Sequence, residues 1–196
     1  MLFSCHPSPD IKGSDSTEID IMGTPIQEMT DEIDPISISL DAGDFEIIPK
    51  ATYAISAEVV GAKTYSRGWE AKLAPVDLAL IWGELTRENL KKELNFSQSN
   101  RWYYYRYSAA FPRSKKFIIH HSANCHMIPS TDNIKRALYQ VRIGDRVKID
   151  GFLVQIRGRK GQQKYWWNSS LSRKDTGNHS CELIYVLDLR VNEHIY

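Results

Sequence analysis

The densest group of side chains that could bind a metal or act in catalysis is His120-His121-Ser122-Ala123-Asn124-Cys125-His126. Imidazole and thiolate groups are ligands that zinc and copper prefer. The spacing disfavours a structural zinc site, because no paired C-x-x-C motif accompanies the cluster. If this segment is a strand, His120 and His121 point to opposite faces and cannot share one ion. We therefore predict no metal and no cofactor, and expect Asn124 and His126 to make local hydrogen bonds.

A second polar segment, from Ser169 to Glu182, combines hydroxyls, an arginine, a carboxylate and a thiol. A cysteine hydrolase could pair Cys181 with His126 or His179 and orient that histidine with Asp175. However, Cys181 is predicted to enter a strand, where nothing in the sequence would lower the pKa of its thiol. The Asp-Thr-Gly triplet at Asp175 matches the aspartic proteases only by its letters, since those enzymes need two such loops sharing one proton. The predicted catalytic candidates are His126, Asp175 and Cys181.

Aromatic and basic residues are interleaved in two stretches, a composition typical of surfaces that stack bases or sugars. The first stretch is Arg101-Trp102-Tyr103-Tyr104-Tyr105-Arg106-Tyr107, and the second holds Arg157, Arg159, Lys160, Lys164, Trp166 and Trp167. The same pattern arises where Tyr and Trp residues face a core along an edge strand. The sequence leaves the partner unknown: a protein or a glycan of the envelope is a candidate, and a nucleic acid is disfavoured. The residues predicted to bind a ligand are Arg101, Trp102, Asn124, Arg173 and Glu182.

Alternation of apolar residues predicts that strands must position these side chains. Strands are predicted at 36–40, 45–48, 53–60, 101–107, 116–121, 147–156, 165–167 and 181–191, with a kink at Gly151 and a hairpin turn at 158–161. Apolar residues at helical spacing predict helices at 75–85, 86–94 and 130–141, the last capped by Ser130. The predicted fold is α+β: a curved, mostly antiparallel β-sheet or small barrel with two or three short helices.

The predicted organisation is an acidic, disordered tether over residues 1–34 and a single β-rich globular domain over residues 35–196. Residues 1–50 hold 11 acidic and 2 basic residues, a charge of −9, whereas residues 51–196 hold 13 acidic and 23 basic residues, a charge of +10. Such a split indicates a tail that folds back on the domain, a domain that meets an anionic surface, or a solvated tail that is simply acidic.

The first residues, Leu2-Phe3-Ser4-Cys5, resemble the end of a bacterial lipoprotein signal. Such a signal has a branched apolar residue, a small residue and then the cysteine that receives the lipid. No apolar run approaches the roughly 18 residues of a membrane span. The expected location is therefore the bacterial cell envelope, with membrane attachment only through a lipid on Cys5. The alternative is a cytoplasmic protein.

The two remaining cysteines are Cys125 and Cys181. In an oxidising envelope they could form a disulfide, whereas in a cytosol both would be buried thiols. The sequence leaves both alternatives open, because it does not give the distance between their Cα atoms.

Several stretches together resemble a family of bacterial envelope proteins, often membrane-anchored, that has no established activity. They are Ala74-Pro75-Val76-Asp77-Leu78-Ala79-Leu80 with Trp82-Gly83, Ser97-Gln98-Ser99-Asn100-Arg101-Trp102-Tyr103, His121-Ser122-Ala123-Asn124 with His126-Met127-Ile128-Pro129, and the ranges 144–154 and 169–182. The resemblance covers roughly residues 53–191, implies an envelope location and implies no mechanism.

Three functions are therefore considered. The favoured function is a non-catalytic envelope domain, a lipoprotein if Cys5 is lipidated, that binds a partner or ligand through its sheet face. The first alternative is a hydrolase or metal-dependent enzyme centred on His126, Asp175 and Cys181. The second alternative is a barrel that binds single-stranded nucleic acid, which requires an exposed stripe of Arg101, Arg157, Arg159, Lys160 and Trp166.

Overall fold

Strands dominate the computed structural model, which describes residues 7–172 and 181–196. The strands are β1 (Gly13–Ser14), β2 (Ile26–Met29), β3 (Ile36–Leu40), β4 (Gly43–Thr64), β5 (Val76–Ile81), β6 (Leu94–Ser99), β7 (Trp102–Tyr107), β8 (Ser122–Pro129), β9 (Arg146–Lys160), β10 (Gln163–Asn168), β11 (Glu182–Val191) and β12 (His194–Ile195). The helices are α1 (Trp69–Leu73), α2 (Glu88–Lys91), α3 (Lys115–His120) and α4 (Asp132–Gln140), with a 3₁₀ turn at Gly83–Thr86. The predicted α+β class is confirmed, but the described residues hold four short helices rather than two or three.

Five strands pair in a cycle that runs from β4 through β5, β8, β11 and β9 back to β4. Within the described residues only β8 and β11 pair in parallel, so the prediction of a curved, mostly antiparallel sheet is also confirmed. The inward face of these strands carries the principal core, which includes Ile55, Leu78, Met127 and Ile149. Apolar residues of α4 complete this core, because Ile134 and Leu138 pack into it.

Beyond this cycle, β4 and β9 extend into a four-stranded layer in the order β3-β4-β9-β10. One face of this layer is apolar and packs around the side chains of Phe45 and Ile156. The rings of Phe45, Trp69 and Tyr165 stack here, with centroids 5.6 Å apart for the first pair and 5.0 Å for the second. Stacked rings of this kind stabilise the layer beyond their burial alone.

The hairpin of β6 and β7 forms a separate two-stranded sheet that covers another part of the outer face. A third apolar cluster lies beneath it and includes Ile81, Leu85, Leu90 and Ile118. Two apolar clusters therefore flank the outer face of β5 and β8, and a polar region separates them.

Residues 7–34 lie along the domain. β1 pairs with β12, β2 pairs with β4, and Ile19 and Ile21 are buried. Acidic side chains of this segment form ion pairs with domain arginines, namely Asp10 with Arg136, Asp15 with Arg190 and Glu18 with Arg146. These contacts agree with the first explanation of the charge split, a tail that folds back on the domain.

Two predicted elements are wrong. Residues 76–81 form β5 rather than a helix; all six are buried, so the strand shows no alternation and its apolar run mimics helical spacing. Residues 115–120 form α3 rather than a strand, and Oγ of Ser114 caps this helix by accepting a hydrogen bond from the backbone N–H of Phe117.

Smaller differences affect three other elements. The helix predicted at 86–94 is only the single turn of α2, and α4 is capped by Thr131 rather than by Ser130. The strand predicted to end at Pro49 continues through it as β4, with a register shift between Pro49 and Ala51. Among the described residues, no helix is both long and apolar enough to cross a membrane.

Candidate functional site

Side chains from four separate parts of the chain meet on the outer face of β5 and β8, between the two apolar clusters. We call this group the buried polar cluster; it comprises Asp77, Gln98, Arg101, Asn124, His126 and Cys181. Three of the residues predicted to bind or catalyse, Arg101, Asn124 and His126, therefore come together here. The fourth, Cys181, joins them through its contact with Asn124.

Asp77 is the centre of this cluster and is fully buried. Its Oδ1 accepts a hydrogen bond from Nη1 of Arg101 at 2.7 Å. The same oxygen lies 2.9 Å from Nδ1 of His126, but the two atoms are not aligned as a hydrogen bond. Sequence reasoning missed Asp77, although a carboxylate within the apolar run of β5 is itself a signal, because buried acids need a cationic partner.

The turn between β6 and β7 directs Arg101 into the cluster. Asn100 and Arg101 have φ angles of 51° and 68°, as a tight two-residue hairpin turn requires. The guanidinium lies 4.0 Å from the ring centroid of Tyr65 and 5.5 Å from that of Trp167. Its Nη1 also donates to the carbonyl oxygen of Ala74 at 2.8 Å. Arg101 is thus held on several sides, which suits a structural clamp for the hairpin.

Asn124 links the same hairpin to β8. Its Nδ2 donates to the carbonyl oxygen of Arg101 at 3.0 Å, and its Oδ1 accepts from Nε2 of Gln98 at 2.8 Å. The predicted local hydrogen bonds of Asn124 are therefore wrong, since its partners lie 23 and 26 residues away in the chain. Gly61 leaves room for Gln98, because a Cβ at position 61 would lie 2.7 Å from Oε1 of that side chain.

Cys181 has the properties of a structural thiol. Burial raises its pKa to about 12, and the carboxylate of Glu182 adds to this effect. A thiol with such a pKa stays protonated at neutral pH and is a poor nucleophile. Asp175, His179 and Arg173 lie outside the described residues, so the structure does not place the other members of the predicted hydrolase site.

The two cysteines of the domain, Cys125 and Cys181, are not joined by a disulfide. Cys125 is buried in the principal core, whereas Cys181 contacts Asn124 on the opposite face of β8. The disulfide alternative is therefore wrong for this structure.

The remaining predicted ligand and metal residues are dispersed. Glu182 is buried at the start of β11, and Trp102 is half-buried at the start of β7. His120 and His121 lie at the end of α3, where the ring of His121 stacks on Phe117 at 4.2 Å. Across residues 7–172 and 181–196, no three His, Cys, Asp or Glu side chains are grouped so that they could share a metal ion.

A second, open feature is the exposed face of the four-stranded layer of β3, β4, β9 and β10. We call it the polar groove; it has a volume of about 690 Å³. Its exposed side chains occupy alternate positions along each strand, opposite the apolar face, and are Ser37, Ser39, Asp44, Glu46, Arg157, Arg159, Lys164, Trp166 and Asn168.

Strand register places these side chains in two rows across the groove. In one row Glu46 lies opposite Arg157, and Arg157 lies opposite Trp166. In the next row Asp44 of β4 lies opposite Arg159 of β9, and Arg159 lies opposite Lys164 of β10. β4 therefore contributes carboxylates, and β9 contributes guanidinium groups.

Trp166 is the most exposed large hydrophobic side chain of the described residues, at 75%. Within the described residues, the side chains of Glu46, Arg157 and Arg159 form no hydrogen bond or ion pair, whereas Asp44 accepts from Oγ of Ser39 at 2.8 Å. An exposed tryptophan beside charged groups that have no partner among the described residues is unusual on a surface that binds no ligand.

The structure divides the second aromatic and basic stretch of the sequence between two surfaces. Trp167 faces away from the groove and lies 4.7 Å from the ring of His126. Nζ of Lys160 donates to the carbonyl oxygen of Asp41 at 2.7 Å. Alternation along β10 could have separated Trp166 from Trp167, had the boundaries of this strand been known.

Comparisons with known protein families, with curated proteins and with solved structures found no match for this chain. The two candidate features differ in access to a ligand. Asp77, Asn124 and His126 are at most 3% exposed, whereas every charged side chain that lines the groove is exposed.

Proposed function

We propose that this protein is a non-catalytic binding domain whose ligand occupies the polar groove. The observation that carries the proposal is Trp166, which is 75% exposed beside Arg157, whose guanidinium has no hydrogen-bond or ion-pair partner among the described residues. Tryptophan and arginine are the residues that most often dominate binding energies at protein interfaces. The groove volume of about 690 Å³ also lies within the range of known ligand sites.

The apolar face beneath the groove supports this proposal, because it holds the strands rigidly. Phe45 and Tyr165 lie on this face and stack with Trp69. Trp166 follows Tyr165 directly on β10, so its backbone position is fixed by a packed neighbour. Groups that are held in place before binding lose less conformational entropy when the ligand arrives.

The buried polar cluster, by contrast, supports a structural role. Its contacts tie the β6–β7 turn to β5 and β8, and the high pKa of Cys181 argues against a thiol nucleophile. A nucleic-acid-binding barrel was expected to expose Arg101 in one stripe with Arg157, Arg159, Lys160 and Trp166. Arg101 instead belongs to the buried polar cluster and does not line the groove.

A location in the bacterial envelope is part of the proposal and rests on the sequence. Leu2-Phe3-Ser4-Cys5 supports lipidation of Cys5, and the resemblance over residues 53–191 supports an envelope protein. Fractionation of cells that express the full chain, with mass measurement of its N-terminal peptide, tests this part. A lipid-modified Cys5 in the membrane fraction is expected, and an unmodified chain confined to the cytosol would contradict it.

A fragment titration followed by ¹H–¹⁵N NMR tests the binding function. The panel contains neutral sugars, uronic acids, nucleotides and dipeptides, and the probe signals are the indole N–H groups of the five tryptophans. We expect the fragments that bind to shift the Trp166 indole signal by the same amount in the wild type and in Tyr104→Ala, which removes an exposed aromatic ring outside the groove. Binding of every fragment elsewhere, or of none, would contradict the proposal.

The Tyr104→Ala control also tests whether the ligand binds on the β6–β7 hairpin instead of in the groove. The Trp166 shift must be the same in Tyr104→Ala as in the wild type, because Tyr104 lies on the β6–β7 hairpin. A shift that depends on Tyr104 would place the binding surface on that hairpin instead.

A further inference from the structure

Two arginines of the groove present their guanidinium groups in the same direction. Arg157 and Arg159 are two residues apart on β9 and share its exposed face. Residues at this spacing on a strand lie about 7 Å apart. Each guanidinium offers a planar fork of donors that matches a carboxylate in two hydrogen bonds. The groove can therefore receive two carboxylates at successive positions along an extended ligand.

Lys164 adds a third cation in the row of Arg159, whereas the groove holds only two carboxylates, Asp44 and Glu46. Asp44 is already engaged by the hydroxyl of Ser39. The hydroxyl of Ser39 is neutral and leaves the charge of Asp44 in place, so the three cations and two carboxylates of the described lining sum to +1, which favours a ligand that carries negative charge.

The two carboxylates also limit the kind of anion. Asp44 lies opposite Arg159 and Glu46 lies opposite Arg157 in the β4–β9 register. Side chains at such positions have Cβ atoms about 5 Å apart. A phosphodiester backbone at this surface would meet a carboxylate beside each arginine, whereas nucleic-acid sites concentrate cations along the strand. The pattern therefore disfavours a polynucleotide.

Mixed donors and acceptors suit a ligand that is rich in hydroxyl groups. Hydroxyls donate and accept at once, so they can bond both to Glu46 and to the serines and Asn168 along the groove. The exposed ring of Trp166 offers a flat apolar face on which a sugar ring can lie. An extended peptide would instead use the free edge of a sheet or a row of apolar pockets, and the groove lies on a sheet face.

We infer that the ligand of the polar groove is a glycan that carries carboxylate groups, with a sugar ring on Trp166 and carboxylates on Arg157 and Arg159. This inference rests on the proposed function of the groove. It makes the arginines responsible for selecting the charged glycan and Trp166 responsible for affinity to the sugar itself.

Isothermal titration calorimetry of the full chain with three probes tests the inference. The probes are trigalacturonate, the same trisaccharide with its carboxylates methyl-esterified, and a single-stranded hexathymidylate. We expect trigalacturonate to bind, and its ester to bind more weakly by on the order of tenfold, because esterification removes charge-assisted hydrogen bonds but keeps the sugar rings.

Substitutions then test separately whether the two arginines select the charge and whether Trp166 binds the sugar ring. Arg157→Gln with Arg159→Gln should reduce the affinity for trigalacturonate to that for the ester, whereas Trp166→Ala should weaken both. The matched control is Arg106→Gln, an exposed arginine on β7 outside the groove, which should change neither affinity. Each variant replaces an exposed side chain, and its far-ultraviolet circular dichroism should match that of the wild type.

The outcomes separate the inference from the proposed function. Equal affinity for acid and ester, no binding of trigalacturonate, or tighter binding of hexathymidylate would each overturn the carboxylate-bearing glycan. If the ester binds as well as the acid and Trp166→Ala abolishes both, the groove remains a binding site and only the charge selection fails. The proposed function itself fails if no fragment class binds in the groove or if Trp166→Ala leaves every affinity unchanged.

Discussion

Nη1 of Arg101 donates a hydrogen bond of 2.7 Å to Oδ1 of Asp77, and this contact fastens the β6–β7 hairpin to the sheet. Asp77 has no exposed surface, while the Arg101 side chain retains 19% of its own. The pair therefore brings a buried charge on a strand together with a cation supplied by a turn 24 residues later in the chain. Removal of either member leaves the other without its charge partner.

Arg101→Ala is expected to lower the free energy of unfolding by about 3–5 kcal/mol, because it leaves the carboxylate of Asp77 buried without its cation. Urea denaturation followed by circular dichroism measures this loss. Arg106→Ala is the matched control and should stay within about 0.5 kcal/mol of the wild type. Adding Asp77→Asn to Arg101→Ala should recover part of the loss; no recovery would contradict the account of a charge pair.

Gly151→Ala is expected to destabilise the protein by roughly 3 kcal/mol or more, because the added Cβ would overlap the carbonyl oxygen of Tyr185. Gly151 lies opposite Val186 in β11, next to the register shift between Val186 and Asp188. The loss is measured as a shift of the urea midpoint or as failure to fold. Gly23→Ala, where the added Cβ meets nothing within 4 Å, is the control. A wild-type midpoint for Gly151→Ala would show that β11 can move away.

The raised pKa of Cys181 predicts a pH-dependent contribution to stability. Burial raises this pKa from 9.0 to about 12, so between these values the unfolded chain releases the thiol proton while the folded chain keeps it. The stabilisation is present below the unfolded pKa and is lost as the pH rises towards the folded pKa. The difference in unfolding free energy between wild type and Cys181→Ser should therefore be smaller at about pH 10.5 than at about pH 7.

Urea titrations of both proteins at these two pH values measure that difference. Tyrosines whose raised pKa does not depend on Cys181, such as Tyr105, are present in both chains and cancel in the comparison. A difference that does not change with pH would contradict the buried, protonated thiol.

At low pH the contacts of the N-terminal segment are expected to weaken. Hydrogen bonds from Thr17, and to a lesser extent the charge of Arg190, lower the pKa of Asp15. The contribution of this carboxylate is therefore present above its ordinary pKa of 3.8 and is lost as the pH falls below that value. The backbone amides of Lys12 and Asp15 bond to residues 193–195, and their protection against hydrogen exchange, relative to the intrinsic rate at each pH, should fall there.

Asp15→Asn should show the faster exchange already at neutral pH and should lose its acid dependence. Asp31→Asn serves as the control, since its carboxylate makes no described contact within this segment. Equal protection in wild type and Asp15→Asn would mean that β1 is held by its pairing with β12 alone.

Alternation made much of the fold predictable, but only where one strand face is exposed. Ile36 and Ile38 alternate with Ser37 and Ser39, and β3 was predicted with its observed bounds. β5 has no exposed face, so the sequence shows a featureless apolar run and Asp77 is concealed within it. The pairing of β5 with β8 joins residues 41 to 51 positions apart, and local patterns carry no information about such register.

The two candidate sites also differ in how far local sequence patterns could predict them. Arg101, Asn124 and His126 were selected by residue type, and their meeting depends on a hairpin turn and on two strand pairings that local patterns do not specify. Arg157 and Trp166 were also selected by type, but the turn predicted at 158–161 is misplaced, because β9 continues to Lys160 and Lys160 pairs with Gln163. A hairpin was therefore predictable here, whereas the register that sets Trp166 opposite Arg157 was not.

The most direct test of the binding function is the dissociation constant of the tightest-binding member of the fragment panel, measured for the wild type, Trp166→Ala and Tyr104→Ala. Both variants remove an exposed aromatic ring, and only Trp166 lies in the polar groove. Trp166→Ala is expected to weaken binding by about tenfold or more, while Tyr104→Ala should leave it unchanged. Equal affinities for the wild type and Trp166→Ala would contradict the assignment of the groove as the ligand site.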